Sequence, residues 1–178
     1  MNHPLINQQI INSACQTAKQ LSLELKRQNF QIVFAESCTA GLVSAVMAGI
    51  PGISAYLCGS AATYQNETKQ DWLQIGPQQI LEHSSVCPQV TAAMARSVLS
   101  KTSQADLAVA VTGHLQTEAT EEGPMVWIGA AKRQRELVSD IEPRFFSLQQ
   151  RSRMDRQWEA AELVLRMTLD VLKQSKIA

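Results

Sequence analysis

The strongest constraint on the fold is that short apolar runs alternate with segments of helical periodicity along most of the chain. The run at 105–111 is apolar at every position except Asp106, which is typical of a strand buried on both faces. The predicted strands are 31–35, 55–64, 105–111, 125–131 and 142–148, and the predicted helices are 1–30, 42–47, 66–73, 78–83, 88–102 and 153–176. This order predicts βαβ units, with helices on both faces of a largely parallel sheet.

Composition narrows the class of protein. The 178 residues suit one domain, and the 16 basic and 16 acidic side chains cancel. A chain without excess positive charge lacks the electrostatic basis for binding nucleic acid or a membrane surface. The first residues have no signal-peptide pattern, and no apolar stretch reaches the length of a membrane span. We therefore expect a single cytoplasmic domain covering 1–178.

The metal-binding residue types are scattered along the chain. No C-x-x-C pair occurs among the four cysteines, and the three histidines have no ligand spacing with one another or with paired carboxylates. We therefore expect no metal site, no cofactor and mostly buried structural cysteines. The residues concerned are Cys15, Cys38, Cys58, Cys87, His3, His83 and His114.

Small polar residues follow two of the predicted strands, at 36–39 and at Thr112-Gly113. Ligands of such sheets bind at the carboxyl ends of the strands, so these two segments indicate a site. Ser37, between a strand and a helix, is either an N-cap or a nucleophile whose oxyanion would meet free main-chain donors.

Two residues further along the chain offer partners for such a nucleophile. Lys69 is either a solvated charge or, if buried beside a serine, a general base. Tyr64 is either a core residue with a hydrated hydroxyl or part of the same proton-transfer site. Cys38 is a rival nucleophile, with His114 as its base, although adjacent side chains point in different directions and a buried structural role suits Cys38 better.

These segments together resemble the CinA C-terminal domain family of nicotinamide mononucleotide amidohydrolases. The matching segments read A-E-S-C-T-A-G at 35–41, P-G-I-S-A-Y at 51–56, T-Y-Q-N-E-T-K at 63–69, S-S-V-C at 84–87 and A-V-T-G at 110–113. The resemblance implies a three-layer α/β/α sandwich with a largely parallel or mixed central sheet. It implies hydrolysis of the carboxamide of nicotinamide mononucleotide, or of a related amide, to the acid and ammonia.

The resemblance also assigns roles to residues. It makes Ser37 the nucleophile, assisted by Lys69 and Tyr64, and it implies a homodimer or higher homo-oligomer without a metal. The family's G-D-R arginine best matches Arg153, with Arg151 and Arg156 as alternative registers. The positions that it implies for substrate binding are Thr39, Gly41, Thr112, Gly113 and Arg153.

The segment 114–124 departs from the family pattern. It lacks nearly every family glycine and carries the carboxylates Glu118, Glu121 and Glu122, which would repel a phosphate. Ala40 replaces a further family glycine. Two functions therefore stay open: a Ser-Lys-Tyr amidohydrolase, or a catalytically impaired relative that binds a ligand or regulates. We expect 114–124 to flank the crevice and to be more mobile than the strands that it joins.

Overall fold

The computed structural model describes residues 7–116, 123–134 and 137–174. Its helices are α1 (Gln8–Gln28), α2 (Leu42–Ala48), α3 (Asn66–Leu73), α4 (Pro77–His83), α5 (Pro88–Lys101) and α6 (Arg153–Gln174), with one 3-10 turn at Ile53–Ala55. Its strands are β1 (Ile32–Glu36), β2 (Leu57–Ala62), β3 (Leu107–His114), β4 (Met125–Gln134) and β5 (Leu137–Ser147). None of the helices in these ranges is both long and apolar enough to cross a bilayer.

The five strands form one sheet in the order β2-β1-β3-β4-β5. β1 runs parallel to both β2 and β3, whereas β4 is antiparallel to β3 and to β5. The sheet is therefore mixed, with a parallel half and an antiparallel half. The α/β fold class predicted from the sequence is confirmed.

Alternate residues of the strands face two separate cores. Phe34 of β1 is fully buried with side chains of α1, α2 and α6 on one face of the sheet. Its neighbours Val33 and Ala35 point to the other face, where they join side chains of α3, α4 and α5. This period of two on a strand that is buried throughout gives the three layers of helix, sheet and helix.

The observed strands differ from the predicted ones mainly in the antiparallel half. β3 does not end at Val111, as predicted, but continues through Thr112 and Gly113 to His114. It continues because β4 pairs with it that far, with His114 opposite Met125. β5 begins at Leu137 rather than at 142; it is an edge strand whose residues are all exposed or half-buried, so its start carries little apolar signal.

Candidate active site

The site begins at the turn that follows β1. The carboxylate of Glu36 is 1 % exposed and accepts hydrogen bonds from the amides of Gly41 (2.9 Å), Val43 (3.1 Å) and Ser44 (3.0 Å). It also accepts from the hydroxyl of Ser60 in β2 at 2.9 Å. Glu36 therefore satisfies the free N–H groups at the start of α2.

Because Glu36 accepts hydrogen bonds from these amides, the Ser37 hydroxyl does not act as the N-cap of α2, which is the role that the local sequence suggests. The helix begins only at Leu42, and Gly41 occupies the N-cap position, so the N-cap interpretation of Ser37 is wrong. Ala40 and Gly41 have φ values of 53° and 95°, a left-handed pair that turns the chain between strand and helix. The amide of Ser37 donates to the carbonyl of Val111 in β3 at 3.1 Å, which places Ser37 at the carboxyl edge of the parallel strands.

Lys69 reaches this serine from α3. Its side chain is only 2 % exposed, so it is not the solvated charge that a polar helix suggests. Its Nζ lies 3.2 Å from Ser37 Oγ and 3.2 Å from the main-chain oxygen of Tyr64. Burial lowers the pKa of the Lys69 ammonium from its ordinary value, because the charged form loses hydration. A lowered pKa favours the neutral amine, which is the form that can accept a proton.

Tyr64 contributes to the site in two separate ways. Its main-chain oxygen contacts Lys69, whereas its hydroxyl accepts a hydrogen bond of 2.7 Å from the guanidinium of Arg153. The structure therefore brings the Tyr64 hydroxyl to Arg153, not to the Ser37–Lys69 pair. Among the three candidate arginines, Arg153 lines the cavity, while Arg156 donates to the carbonyls of Gln150 (2.7 Å) and Leu115 (2.9 Å).

A cavity of about 320 Å³ lies in front of Ser37 and Lys69. No carboxylate is among the side chains that line it in the described part of the chain. The lining residues are Ser37, Cys38, Tyr64, Lys69, Ser85, Val86, Gly113, His114, Leu115, Gln116 and Arg153. The far part of the predicted flanking loop, 117–122, lies outside the described residues.

The positions that the resemblance implies for substrate binding divide into two groups. Gly113 and Arg153 line the cavity, whereas Thr39, Gly41 and Thr112 do not. Thr112 is fully buried and its hydroxyl donates to the carbonyl of Ser85 at 3.1 Å, which ties β3 to the segment before α5.

Gly113 has a structural reason to be glycine. A Cβ at this position would lie 2.3 Å from the carbonyl oxygen of Met125, in the paired strand β4. A side chain would therefore force β3 and β4 apart, so glycine permits their close approach next to the cavity.

Cys38 is unsuited to be the nucleophile. It is buried, and this burial raises the pKa of its thiol to about 12, so the reactive thiolate is scarce at neutral pH. Cys87 is buried as well, but Cys15 is exposed and Cys58 is half-buried, so the expectation of burial is wrong for these two. The described residues contain no group of three His, Cys, Asp or Glu side chains that could hold a metal ion.

Two residues shape the site although they belong to no motif that predicts a chemical role. Glu36 stands directly before Ser37, and its acidic side chain in an apolar strand was an available signal. Gln157 of α6 donates from Nε2 to the carbonyls of Cys38 (3.3 Å) and Thr39 (3.1 Å). No local pattern marks Gln157, because its partners are 119 and 118 residues away in the chain.

Comparison with known proteins identifies the family and agrees with the fold. The sequence model of the CinA C-terminal domain matches residues 14–172. A CinA-like protein of Prochlorococcus marinus is 41% identical over 90 residues, which are 51% of this chain and 21% of that protein. A putative competence-damage inducible protein of Halalkalibacterium halodurans is 35% identical over 127 residues, covering 70% of this chain and 29% of that protein. The matched part is thus less than a third of either relative.

Solved structures give the same result for the fold. A CinA superfamily protein from Klebsiella pneumoniae superposes with a TM-score of 0.80 at 20% identity, over 90% of this chain and 98% of the other. A competence/damage inducible protein from Agrobacterium tumefaciens superposes with a TM-score of 0.78 at 25% identity, over 96% and 99% of the two chains.

Proposed function

Since the chain belongs to the CinA C-terminal domain family, we propose that it is a serine amidohydrolase acting on the carboxamide of nicotinamide mononucleotide or of a related amide. The observation that carries this proposal is the contact of 3.2 Å between Ser37 Oγ and the buried Nζ of Lys69. A serine hydroxyl is a weak nucleophile until a nearby base takes its proton. A buried lysine, whose pKa is lowered because the charged form loses hydration, is such a base.

The first half of the reaction forms an acyl-enzyme. Ser37 Oγ attacks the carboxamide carbon while its proton passes to the neutral Nζ of Lys69. The C–N bond then breaks, the leaving nitrogen takes that proton, and ammonia departs. The carbonyl oxygen becomes negative during the attack and needs donors. Cys38 follows Ser37 and is among the residues that line the cavity, and we propose its main-chain N–H as the donor.

The second half restores the serine. Lys69 takes a proton from a water molecule, which attacks the acyl carbon, and the C–O bond to Ser37 breaks. Lys69 returns the proton to Ser37 Oγ as the carboxylic acid leaves. One water is consumed, and one ammonia and one acid are produced, without a metal or cofactor in any step.

The cavity also constrains the substrate. Its lining combines the guanidinium of Arg153 and the buried amine of Lys69 with polar side chains such as His114 and Gln116. Such a lining suits a small polar ligand that carries an anionic group beside its amide. We propose a small-molecule nucleotide or amide as the ligand, a cytoplasmic location, no nucleic-acid or membrane partner, and a homodimer or higher homo-oligomer.

Ammonia release tests the proposal directly. Purified protein is incubated with nicotinamide mononucleotide and related amides, and wild type is compared with Ser37→Ala and Lys69→Met. Loss of general base catalysis lowers rates by about 10²–10⁴-fold, which is the expected effect of Lys69→Met. Ser103→Ala and Lys101→Met are matched controls, since both residues are exposed and neither lines the cavity. Ammonia release that survives Ser37→Ala would contradict the mechanism.

A second candidate function is ligand binding without turnover. It is favoured by the glycine-poor sequence at 114–124, which replaces main-chain approach to a ligand with bulky and acidic side chains. Calorimetric titration of wild type with the same amides separates the two candidates. Binding without ammonia release from any amide would favour the binding protein and contradict the hydrolase.

A further inference from the structure

One helix, α6, contacts both members of the Ser37–Lys69 pair through intermediates. Arg153, at its first residue, donates to the Tyr64 hydroxyl at 2.7 Å, and the main-chain oxygen of Tyr64 accepts from Lys69 at 3.2 Å. Gln157, about one turn later, donates to the carbonyls that directly follow Ser37. The start of α6 therefore contacts the Tyr64 side chain on the Lys69 side of the pair and the main chain on the Ser37 side.

The turn after Ser37 needs such support. Its two successive left-handed residues, Ala40 and Gly41, include a non-glycine residue in a conformation that is strained for any side chain with a Cβ. Glu36 holds the N–H groups at the far end of this turn. The carbonyl of Thr39 also accepts from the amide of Leu42, at 3.1 Å.

The near end of the turn depends on Gln157. The carbonyl of Cys38 has no hydrogen-bond donor other than Gln157 in the described residues. The peptide that joins Cys38 to Thr39 adjoins the peptide whose N–H we propose for oxyanion binding. A rotation of the Cys38–Thr39 peptide would move the Ser37–Cys38 peptide and change the direction of the Ser37 side chain.

We infer that Gln157 is a positioning residue of this site, fixing Ser37 and the Cys38 amide by holding the carbonyls of Cys38 and Thr39. This inference rests on the proposed function. Gln157 is not among the residues that line the cavity, so it acts through the turn and not on a ligand. Its removal should therefore slow the attack by Ser37 without changing ligand affinity.

The test compares Gln157→Leu with Gln28→Leu, a matched control. Gln28 also donates from Nε2 to a main-chain carbonyl, that of Leu172 at 2.8 Å, but it lies away from the cavity. Gln157→Lys, which retains a donor, is the rescue variant. The readouts are the rate at which a fluorophosphonate labels Ser37, measured by intact mass, hydrogen exchange of the peptide spanning 36–44, and kcat and KM for ammonia release.

We expect Gln157→Leu to lower the labelling rate and kcat by about tenfold to a hundredfold, with KM unchanged, since small misplacements of reacting groups have effects of this size. Exchange at 36–44 should increase in Gln157→Leu only, and Gln157→Lys should recover part of the labelling rate. If Gln157→Leu is labelled at the wild-type rate and shows wild-type hydrogen exchange at 36–44, the inference is overturned and the proposed function stays intact. A wild type that is neither labelled at Ser37 nor active would contradict the proposed function, and equal exchange in the two leucine variants would then overturn the inference.

Discussion

The burial of Lys69 predicts how the free energy of unfolding depends on pH, in addition to its predicted effect on the reaction rate. Lys69 is 2 % exposed, and burial lowers the pKa of its ammonium in the folded state from the ordinary value of 10.5. In the unfolded chain the same ammonium is hydrated and keeps its ordinary pKa. Between the two pKa values the unfolded state therefore binds one more proton than the folded state.

The sign of the pH dependence follows from this difference in bound protons. Stability rises with pH wherever the unfolded state binds more protons. Below the folded-state pKa, Lys69 is charged in both states and the folded protein retains the full desolvation penalty. As the pH rises through the folded-state pKa towards 10.5, this penalty is relieved, at up to about 1.4 kcal/mol per pH unit for one proton.

Lys69→Met, which keeps a long unbranched side chain and removes the charge, should abolish this contribution. The assay is urea unfolding of wild type, Lys69→Met and the exposed control Lys101→Met across pH 6 to 10 in roughly half-unit steps. The free energy of unfolding of wild type minus that of Lys69→Met should increase with pH. The free energy of unfolding of wild type minus that of Lys101→Met should stay flat across this range, because Lys101 is exposed and loses little hydration on folding. If the free energy of unfolding of wild type minus that of Lys69→Met stays flat or decreases with pH, the assignment of Lys69 as a buried amine with a lowered pKa is refuted.

Three further predictions concern the turn, the strand pairing and the loop. Ala40→Gly should raise the free energy of unfolding by about 1 kcal/mol, because glycine relieves the left-handed strain, whereas Gly41→Ala should lower it by a similar amount. Urea unfolding measures both changes, and changes of the same sign in the two variants would contradict the turn geometry. Gly113→Ala should lower the free energy of unfolding by about 1–3 kcal/mol or more, since its Cβ would collide with the paired strand, and unchanged stability would contradict that pairing. Deamidation of nicotinamide mononucleotide should be weak in wild type and should rise by about 10²-fold when 114–124 is replaced by a glycine-rich family loop, as measured by ammonia release. A robust wild-type rate that Ser37→Ala abolishes would refute this last expectation.

The parts of the site that the sequence predicts are those carried by neighbouring parallel strands. Ser37 follows β1, and Lys69 lies in the helix that follows β2, which pairs with β1. The rule that ligands bind at the carboxyl ends of parallel strands is therefore sufficient to bring the two segments together. The contact of 3.2 Å itself needs the burial of Lys69, which no local pattern of a polar helix indicates.

Sequence patterns do not predict the contacts that side chains of α6 make at the site. Arg153 is a candidate only through the family resemblance, which leaves its register open. The packing of α6 against the site places Arg153 at the cavity and turns Arg156 towards the carbonyl of Leu115. Gln157 has no signal at all, since a glutamine in an amphipathic helix is ordinary. Contacts of this kind depend on how a helix docks, which periodicity does not specify.

The mixed sheet explains how the catalytic pair and the ligand-facing wall can vary separately. Ser37 and Lys69 are placed by the parallel half, where β1 ends at Glu36 opposite Val111 of β3. The wall at 113–116 exists because β4, antiparallel to β3, keeps β3 extended for three residues beyond that point. We therefore expect substitutions at 114–116 to change what the cavity can hold while β1, which carries Ser37, stays in place. A chain can thus retain the Ser37–Lys69 contact while the segment 114–124 departs from its family's pattern, and substrate choice is the property that this departure is expected to change.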